Sequence, residues 1–319
     1  MSHDCVCSVG VWRAGYWDGE RRRCGEGQRG AMAESVVVTG ASKGIGEACV
    51  ARLVRMGMRV YAGVRDVAAG EALKGRLGEA VVPLRLDVTD AMQIEAARAR
   101  VEGDLGEGGL RGLVNNAGIA VGGPLELLAA EDLRRQLEVN VIGQVSVTRA
   151  FLPLLRRRSP DGAGPPGRIV LMGSIAGRSA VPFMGAYAAS KHALEALADA
   201  LRLELRSIGI TVSLIEPGMI ATSIWDTSLA QASARLADID EDARRRYGPA
   251  IDRVMGRARR GPVAGLPADR VALVVVHALT ASRPRARYLV GRDARMRLAL
   301  ERLLPTRVRD HLVASKLGL

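Results

Sequence analysis

Aromatic residues, cysteines and histidines are all scarce in this chain of 319 residues, and each scarcity excludes a class of structure. Phe, Trp and Tyr make up 3% of the sequence, so Val, Leu, Ile and Ala must build the core. The four cysteines are too irregularly spaced for a disulfide framework or a Cys-x-x-Cys metal site. The four histidines are scattered without ligand spacing, and the sequence therefore predicts no metal.

Long apolar runs are also missing. The longest in the C-terminal half, 271–279, is far shorter than the roughly 20 residues that cross a bilayer. The first 33 residues contain no apolar segment of the kind found in secretory signals. We expect residues 1–33 to be a disordered N-terminal extension, and we expect the protein to work in the reducing cytoplasm.

Positive charge predominates, with 46 Lys and Arg against 34 Asp and Glu and a formal net charge of +12. The arginines are dispersed and no aromatic-rich binding face accompanies them, so we expect no nucleic-acid partner. A solvated surface and an anionic cofactor explain the charge better. Residues 296–319 form a basic amphipathic segment that packs on its own domain or a neighbouring subunit, with contact to a membrane surface as the less favoured alternative.

Short apolar strand candidates alternate with helical patterns, which indicates right-handed βαβ units. Strands are predicted near 35–39, 59–63, 81–86, 112–115, 168–172, 211–215 and 288–290, and helices near 45–56, 91–102, 130–157, 187–207 and 269–281. The predicted fold class is α/β: one Rossmann-type doubly wound domain over 34–295, with a mostly seven-stranded parallel sheet flanked by helices. Residues 219–267 are predicted to be a helical substrate lid at the carboxyl edge of the sheet.

A glycine cluster joins the first predicted strand to the first helix. Gly40 permits the tight turn, Gly44 lets the backbone approach a pyrophosphate, and Gly46 lets the helix pack closely on the strand. The helix N-terminus presents N–H groups and a positive dipole end to the phosphates. Without the rest of the chain, the cluster is equally compatible with an ordinary turn.

Tyr187 and Lys191 stand one helical turn apart, thirteen residues after Ser174. Bringing a phenol from its free pKa of about 10 down to about 7 needs roughly 4 kcal/mol of stabilisation. A lysine four residues later on the same helix face is well placed to contribute to it. The pair also belongs to an amphipathic stripe, so packing and chemistry are compatible interpretations.

Several ordered motifs together resemble the short-chain dehydrogenase/reductase family, in the branch that holds hydroxysteroid and retinol dehydrogenases. They are Thr39-Gly-x-x-x-Gly-x-Gly46, Asn115-Asn116-Ala117-Gly118, Asn140 in Glu138-Val139-Asn140-Val141, Ser174, Tyr187-x-x-x-Lys191, and Pro217-Gly218 with Thr222. The resemblance spans about 34–295. It implies a hydride-transferring oxidoreductase acting on CH–OH groups.

The resemblance also implies four catalytic roles. Tyr187 is the general acid or base, and Lys191 lowers its pKa and binds the nicotinamide ribose. Ser174 hydrogen-bonds the substrate oxygen, and Asn140 holds a water that connects Lys191 to solvent. Taken singly, Ser174 and Asn140 would be better explained as capping or turn residues.

The cofactor is expected to be NADP(H) in preference to NAD(H). Val64 stands where NAD-dependent enzymes usually carry an acid, and Arg65 and Lys43 supply positive charge for an additional phosphate. Asp66 takes the acidic role instead if the register differs by two. The expected cofactor-binding residues are Gly40, Ser42, Lys43, Gly44, Ile45, Gly46, Arg65, Asp87, Val88, Asn116, Ala117, Gly118, Tyr187, Lys191, Pro217, Gly218, Ile220 and Thr222. Asp87 and Val88 match an adenine contact, with a helix cap by Thr89 or Asp90 as the alternative.

Apolar residues in the lid and before Tyr187 predict a pocket for a lipophilic ketone, aldehyde or alcohol, such as a steroid or retinoid. They are Met219, Ile220, Ile224, Trp225, Leu229, Leu236 and Ile239 in the lid, and Ala180, Val181, Pro182, Phe183 and Met184 before the tyrosine. A homodimer or homotetramer is expected from the resemblance alone. The alternative function is a non-catalytic NADP-binding redox sensor.

Overall fold

The computed structural model describes residues 6–13, 16–23, 34–157, 166–222, 228 and 240–317. Its strands are β1 (Val6–Arg13), β2 (Tyr16–Arg23), β3 (Ser35–Thr39), β4 (Arg59–Val64), β5 (Val81–Arg85), β6 (Gly112–Asn115), β7 (Arg168–Met172), β8 (Thr211–Pro217), β9 (Ile220–Ala221), β10 (Leu266–Pro267) and β11 (Arg287–Val290). Its α-helices are α1 (Gly44–Arg55), α2 (Val67–Leu77), α3 (Ala91–Leu105), α4 (Ala130–Leu137), α5 (Gly143–Arg156), α6 (Gly185–Glu204), α7 (Glu241–Ala264), α8 (Ala268–Thr280), α9 (Arg292–Leu303) and α10 (Thr306–Leu317).

A seven-stranded sheet in the order β11-β8-β7-β6-β3-β4-β5 forms the centre of the molecule, and every neighbouring pair in it is parallel. The predicted doubly wound α/β class is thus confirmed. The chain reverses its direction of winding between β3 and β6. In open parallel sheets the crevice at such a switch point, beyond the carboxyl ends of the strands, is where ligands bind.

Both faces of the sheet are buried, as the unbroken apolar run of β3 predicts. Val36 and Val38 contribute to one hydrophobic core together with residues of α1 and α8. Val37, between them, contributes to a second core on the opposite face together with residues of α3 and α5. Successive side chains of β3 therefore point to opposite faces of the sheet, and each face packs against its own layer of helices.

The predicted strands agree closely with the structure, whereas two helical predictions need correction. The helix predicted over 130–157 is interrupted, since a π-helical turn at Glu138–Ile142 separates α4 from α5. Helix α2 was not predicted because it lacks a clear apolar stripe and buries only Gly70 and Leu73. Its one local signal is Asp66, whose side chain accepts a hydrogen bond of 3.0 Å from the N–H of Ala68 and caps the helix.

The N-terminal extension also departs from the expected disorder. Strands β1 and β2 pair antiparallel, with Trp12 opposite Trp17 and Arg13 opposite Tyr16. Only two residues of sequence separate the strands, which is the commonest spacing for a hairpin, and valine and tryptophan favour strands. Local strand propensity is the physical reason for the difference.

The expected lid region contains β9, which pairs with β10, and the long helix α7. The lid residues Ile224, Trp225, Leu229, Leu236 and Ile239 lie outside the described residues. The C-terminal segment forms α9 and α10, and Arg253 of α7 donates a hydrogen bond of 2.5 Å to the carbonyl of Leu317. In the part of the chain that the structure describes, no helix is long and apolar enough to cross a bilayer.

Candidate active site

The glycine turn after β3 is held by the loop that follows β6. Gly40 and Gly44 have φ of +63° and +62°, a left-handed conformation that glycine adopts without strain. The Nδ2 of Asn116 donates to the carbonyl oxygens of Thr39 and Gly40 at 3.0 and 3.1 Å. A Cβ added to Gly46 would collide with the Gly40 carbonyl and lie 2.6 Å from that same amide nitrogen. Each of the three glycines is therefore required by the local geometry.

Thr39 ties the two loops together from the other side. Its Oγ1 accepts hydrogen bonds of 3.0 Å from the N–H groups of both Asn116 and Ala117. The side-chain amide of the buried Asn115 donates a hydrogen bond of 2.8 Å to the hydroxyl of Thr148 on α5. The Asn-Asn-Ala-Gly motif thus fixes the wall of the crevice opposite the glycine turn.

Asn140 lies in the π-helical turn and is fully buried. Its Oδ1 accepts a hydrogen bond of 2.8 Å from the N–H of Ile119, and its Nδ2 donates to the carbonyl of Ile119 at 2.9 Å and to Ser190 Oγ at 3.1 Å. Gln136, one turn earlier, donates 3.0 Å to the same Ile119 carbonyl. Asn140 therefore connects the loop after β6 to the helix that carries Tyr187. Turns of this π type are frequent at functional sites.

Ser174, Tyr187 and Lys191 converge at the carboxyl end of β7. Ser174 begins a 3₁₀ turn at Ile175–Gly177 and accepts a hydrogen bond of 3.1 Å from the N–H of Ala176. The Nζ of Lys191 donates 2.7 Å to the carbonyl of Met172 and lies 5.7 Å from the centroid of the Tyr187 ring. One helical turn of α6 thus places the phenol and the ammonium side by side, next to the serine.

Burial changes the pKa values of both ionisable side chains in this group. It raises the pKa of Tyr187, and a hydrogen bond with Ser174 opposes that rise. Burial also lowers the pKa of Lys191 itself to about 8. The Nζ of Lys191 is directed at the Met172 carbonyl and lies 5.7 Å from the centroid of the Tyr187 ring, and the lowering of the tyrosine pKa by its charge stays a prediction.

The ends of β4 and β5 carry the residues expected to contact the adenosine half of a dinucleotide. Val64 is buried with 1% exposure, and Arg65 follows it at the edge of the crevice beside Lys43. The carboxylate of Asp66 instead caps α2. At the next strand Asp90 caps α3, accepting from the N–H groups of Met92 and Gln93 at 2.9 and 3.1 Å.

Pro217 and Gly218 end β8 at the opposite side of the crevice. The N–H of Gly218 donates a hydrogen bond of 2.8 Å to the carbonyl of Val290. The N–H of Met219 donates one of 2.7 Å to Asp293 Oδ2. A Cβ on Gly218 would collide with this carboxylate. Asp293 thus positions the segment that leads into β9, a role for which the sequence contains no motif.

These elements enclose a cleft of about 650 Å³. Its lining includes Ser174, Tyr187, Lys191 and every expected cofactor-binding residue except Gly46, which lies behind the glycine turn. Asn140 also lies outside the lining and acts through Ile119. Ser228, which sequence reasoning missed, lines the cleft and donates a hydrogen bond to the carbonyl of Ala120. Of the apolar residues expected at the substrate end, only Ile220 is found in the described lining.

The family model described as short chain dehydrogenase matches residues 34–233. The chain is 37% identical over 264 residues to a 3-amino-tetrahydro-pyrrolizinone reductase of Xenorhabdus hominickii, covering 82% of this chain and 88% of the relative. It is 35% identical to an NADPH-dependent 3-dehydrocapnine reductase of Ornithobacterium rhinotracheale, with coverages of 86% and 94%. It is 34% identical to the human 17-beta-hydroxysteroid dehydrogenase type 6, with coverages of 96% and 94%.

The fold of the chain is also similar to solved structures of short-chain dehydrogenases. A short chain dehydrogenase/reductase of Burkholderia phymatum in complex with NAD has a TM-score of 0.69 and 28% identity, covering 88% of this chain and 95% of that one. A short chain dehydrogenase of Burkholderia cenocepacia in complex with NADP has a TM-score of 0.65 and 26% identity, with coverages of 88% and 96%. The chain belongs to the short-chain dehydrogenase/reductase family, in the branch of hydroxysteroid and retinol dehydrogenases.

Proposed function

We propose that this oxidoreductase uses NADPH to reduce a lipophilic ketone or aldehyde to its alcohol, with Tyr187 as general acid. The observation that carries the proposal is the meeting of Ser174, Tyr187 and Lys191 at one end of a cleft whose other end is the glycine turn. A protein that only binds a dinucleotide needs the turn but has no need of the three polar side chains.

The crevice fits a nicotinamide dinucleotide. Lys43, Gly44 and Ile45 at the N-terminus of α1 line the cleft, where N–H groups and the helix dipole favour phosphate. Lys191, Pro217, Gly218 and Thr222 line the cleft, and we propose that they hold the nicotinamide half. The bound cofactor supplies the hydride, and the protein supplies binding, orientation and the proton.

Proton donation is the task proposed for Tyr187. A general acid must hold its proton until charge develops on the substrate oxygen, and the raised pKa of Tyr187 keeps the phenol protonated at neutral pH. Ser174 is placed to donate a hydrogen bond to the same oxygen. Lys191, while charged, stabilises the phenolate that remains after transfer.

The preference for NADP(H) rests on the end of β4. Val64 occupies the position of the acid that binds ribose hydroxyls in NAD enzymes, and Asp66 is engaged as a helix cap. Arg65 and Lys43 line the same edge of the cleft and offer two cations to an additional phosphate. One relative is named as NADPH-dependent, whereas the solved structures include complexes with both NAD and NADP.

A lipophilic substrate is supported by an apolar part of the cleft lining. Ile119, Ala120, Val139, Met172 and Ile220 contribute to it. The names of the similar proteins include a 3-amino-tetrahydro-pyrrolizinone reductase, a 3-dehydrocapnine reductase and a hydroxysteroid dehydrogenase, so oxidoreduction is the feature that the names share. We also propose a homodimer or homotetramer through the helical segments predicted over 130–157 and 187–207, where Leu133, Ile142 and Leu203 are exposed. Light scattering tests the oligomeric state.

The test is oxidation of NADPH in the presence of steroid, retinoid, aliphatic and aromatic carbonyls. Tyr187→Phe should reduce kcat by at least a thousandfold and leave the Kd for NADPH within about threefold, because only the proton donor is lost. Tyr288→Phe is the matched control, since the Tyr288 hydroxyl contacts His277 and the N–H of Arg285 and Tyr288 does not line the cleft. Tight NADPH binding with no turnover across the panel would favour the non-catalytic redox sensor.

A further inference from the structure

A cluster of four buried or half-buried charged groups lies behind the catalytic helix, outside the cleft lining. The Nε of Arg178 lies 2.9 Å from Glu216 Oε1 and 3.2 Å from Glu195 Oε2. The Nε of Arg287 lies 2.9 Å from the same oxygen of Glu195. The side chains of Glu216 and Glu195 are 2% and 12% exposed, so these contacts are largely shielded from water.

Three of the four members of this cluster come from segments that each carry part of the candidate active site, and Arg287 comes from β11. Arg178 directly follows the 3₁₀ turn that begins at Ser174. Glu195 lies one helical turn after Lys191 on α6, and Glu216 immediately precedes Pro217 at the end of β8. One guanidinium group thus joins the serine turn, the tyrosine–lysine helix and the strand that ends at the expected nicotinamide contact.

The serine turn and α6 are packed so closely at Gly177 that no side chain fits between them. A Cβ on Gly177 would lie 2.7 Å from the carbonyl oxygen of Lys191 and 3.3 Å from Glu195 Cγ. The serine turn is therefore seated directly on α6 beside the catalytic lysine. Catalysis depends strongly on such placement, since a misplacement of about 1 Å costs on the order of a hundredfold in rate.

Charge balance makes the arrangement sensitive to Arg178. Two buried carboxyl groups side by side need cations or a shared proton, and Glu195 Oε1 is fully buried without a hydrogen-bond donor. Arg178 contacts both carboxyl groups, whereas Arg287 also bonds Asp199 at 2.7 Å. Asp199 also accepts a hydrogen bond of 2.6 Å from Arg202. Burial and the neighbouring Glu216 raise the pKa of Glu195 to about 7.

We propose that Arg178, held between the buried carboxyl groups of Glu195 and Glu216, is a positioning residue that keeps Ser174, Lys191 and Pro217–Gly218 in their reactive arrangement. It acts through these segments and touches no reacting atom. The proposal rests on the proposed reductase function, because it concerns the rate of the same reaction.

The first experiment compares Arg178→Met, Arg178→Lys and wild type for kcat, KM and the Kd for NADPH. Arg98→Met is the matched control, since Arg98 is 23% exposed against 28% for Arg178, lies between Glu95 and Glu102, and is not part of the cleft lining. We expect kcat of Arg178→Met to fall at least tenfold, with the NADPH Kd within threefold, partial recovery in Arg178→Lys, and no change in the control. A kcat within twofold of wild type, or a Kd that rises in step with the loss of kcat, overturns the proposal.

A second variant covers the case in which Arg178→Met fails to fold. Glu195→Gln preserves the shape of the side chain and stays neutral at every pH. Because Glu195→Gln removes the charge of one of the two carboxyl groups that hold Arg178, we expect its kcat to fall while the NADPH Kd stays within threefold. A kcat equal to that of wild type contradicts the proposed positioning role.

Failure of the proposed function can be separated from failure of this inference by amide hydrogen exchange in the NADP⁺-bound protein, which requires no turnover. Exchange of residues 174–178 should be faster in Arg178→Met than in Arg98→Met, and equal rates would overturn the inference. If wild type reduces no carbonyl, the reductase proposal fails while this comparison still decides whether Arg178 holds the serine turn.

Discussion

Gly46 offers a sharp test of the glycine turn, because helix propensity and packing predict opposite outcomes for its replacement by alanine. Gly46 lies in the first turn of α1, and an exposed helical glycine replaced by alanine gains about 0.5–1 kcal/mol. At this position the new Cβ would collide with the Gly40 carbonyl and lie 2.6 Å from Asn116 Nδ2. Displacing that amide would break its hydrogen bonds to Thr39 and Gly40.

The magnitude follows from these opposing terms. Overpacking a tight site costs roughly 1–3 kcal/mol, and two lost hydrogen bonds cost about 1 kcal/mol each. After subtracting the helix-propensity gain, Gly46→Ala should destabilise the protein by about 2–4 kcal/mol. The Kd for NADPH should rise at least tenfold, since the displaced turn forms the expected phosphate cradle.

Urea unfolding and fluorescence titration with NADPH measure the two effects. Gly75→Ala is the matched control, because Gly75 lies in α2 and a Cβ there meets nothing within 4 Å. The control should gain about 0.5 kcal/mol and bind NADPH normally. A Gly46→Ala protein that is as stable as the control and binds NADPH with unchanged affinity would refute the reasoning.

Three further outcomes are expected. Arg65→Asp should shift the kcat/KM ratio at least tenfold from NADPH toward NADH, and an unchanged ratio would show that Arg65 does not face the additional phosphate. Lys191→Met should abolish turnover and stabilise the fold by about 2 kcal/mol at neutral pH, roughly 3 from the burial that lowers the lysine pKa to about 8 less about 1 for the Met172 carbonyl. This gain should shrink as pH rises from about 8 toward 10.5, and thermal melts that show no gain at pH 7 would contradict it. Carbonyl reduction by wild type should slow as pH rises through about 8, because Lys191 then loses the charge that stabilises the phenolate; a rate that rises between pH 7 and 9 would contradict this role.

Local sequence was sufficient for the sheet and for most of the candidate site. Strands such as β3, with three consecutive valines, have a pattern that only a strand buried on both faces satisfies, so their limits were predicted closely. Helix α2 was missed because it buries little, and the extension was expected to be disordered although its strands pair. The π turn at Asn140 could not be predicted, since Asn140 is hydrogen-bonded to Ile119, twenty-one residues away in the sequence.

The sequence by itself determined the order of the strands and helices, the glycine turn and the spacing of Tyr187 and Lys191, because each depends on residues within a few positions of one another. Only the tertiary structure decided which of these groups lie in contact, how deeply they are buried and how their pKa values shift. Burial raised the pKa of Tyr187 and lowered that of Lys191, and the Met172 carbonyl determined where the ammonium points. The contacts of Arg178 with Glu195 and Glu216 likewise join segments that only folding brings together. Desolvation and long-range contact are properties of the packed chain, and no local pattern encodes them.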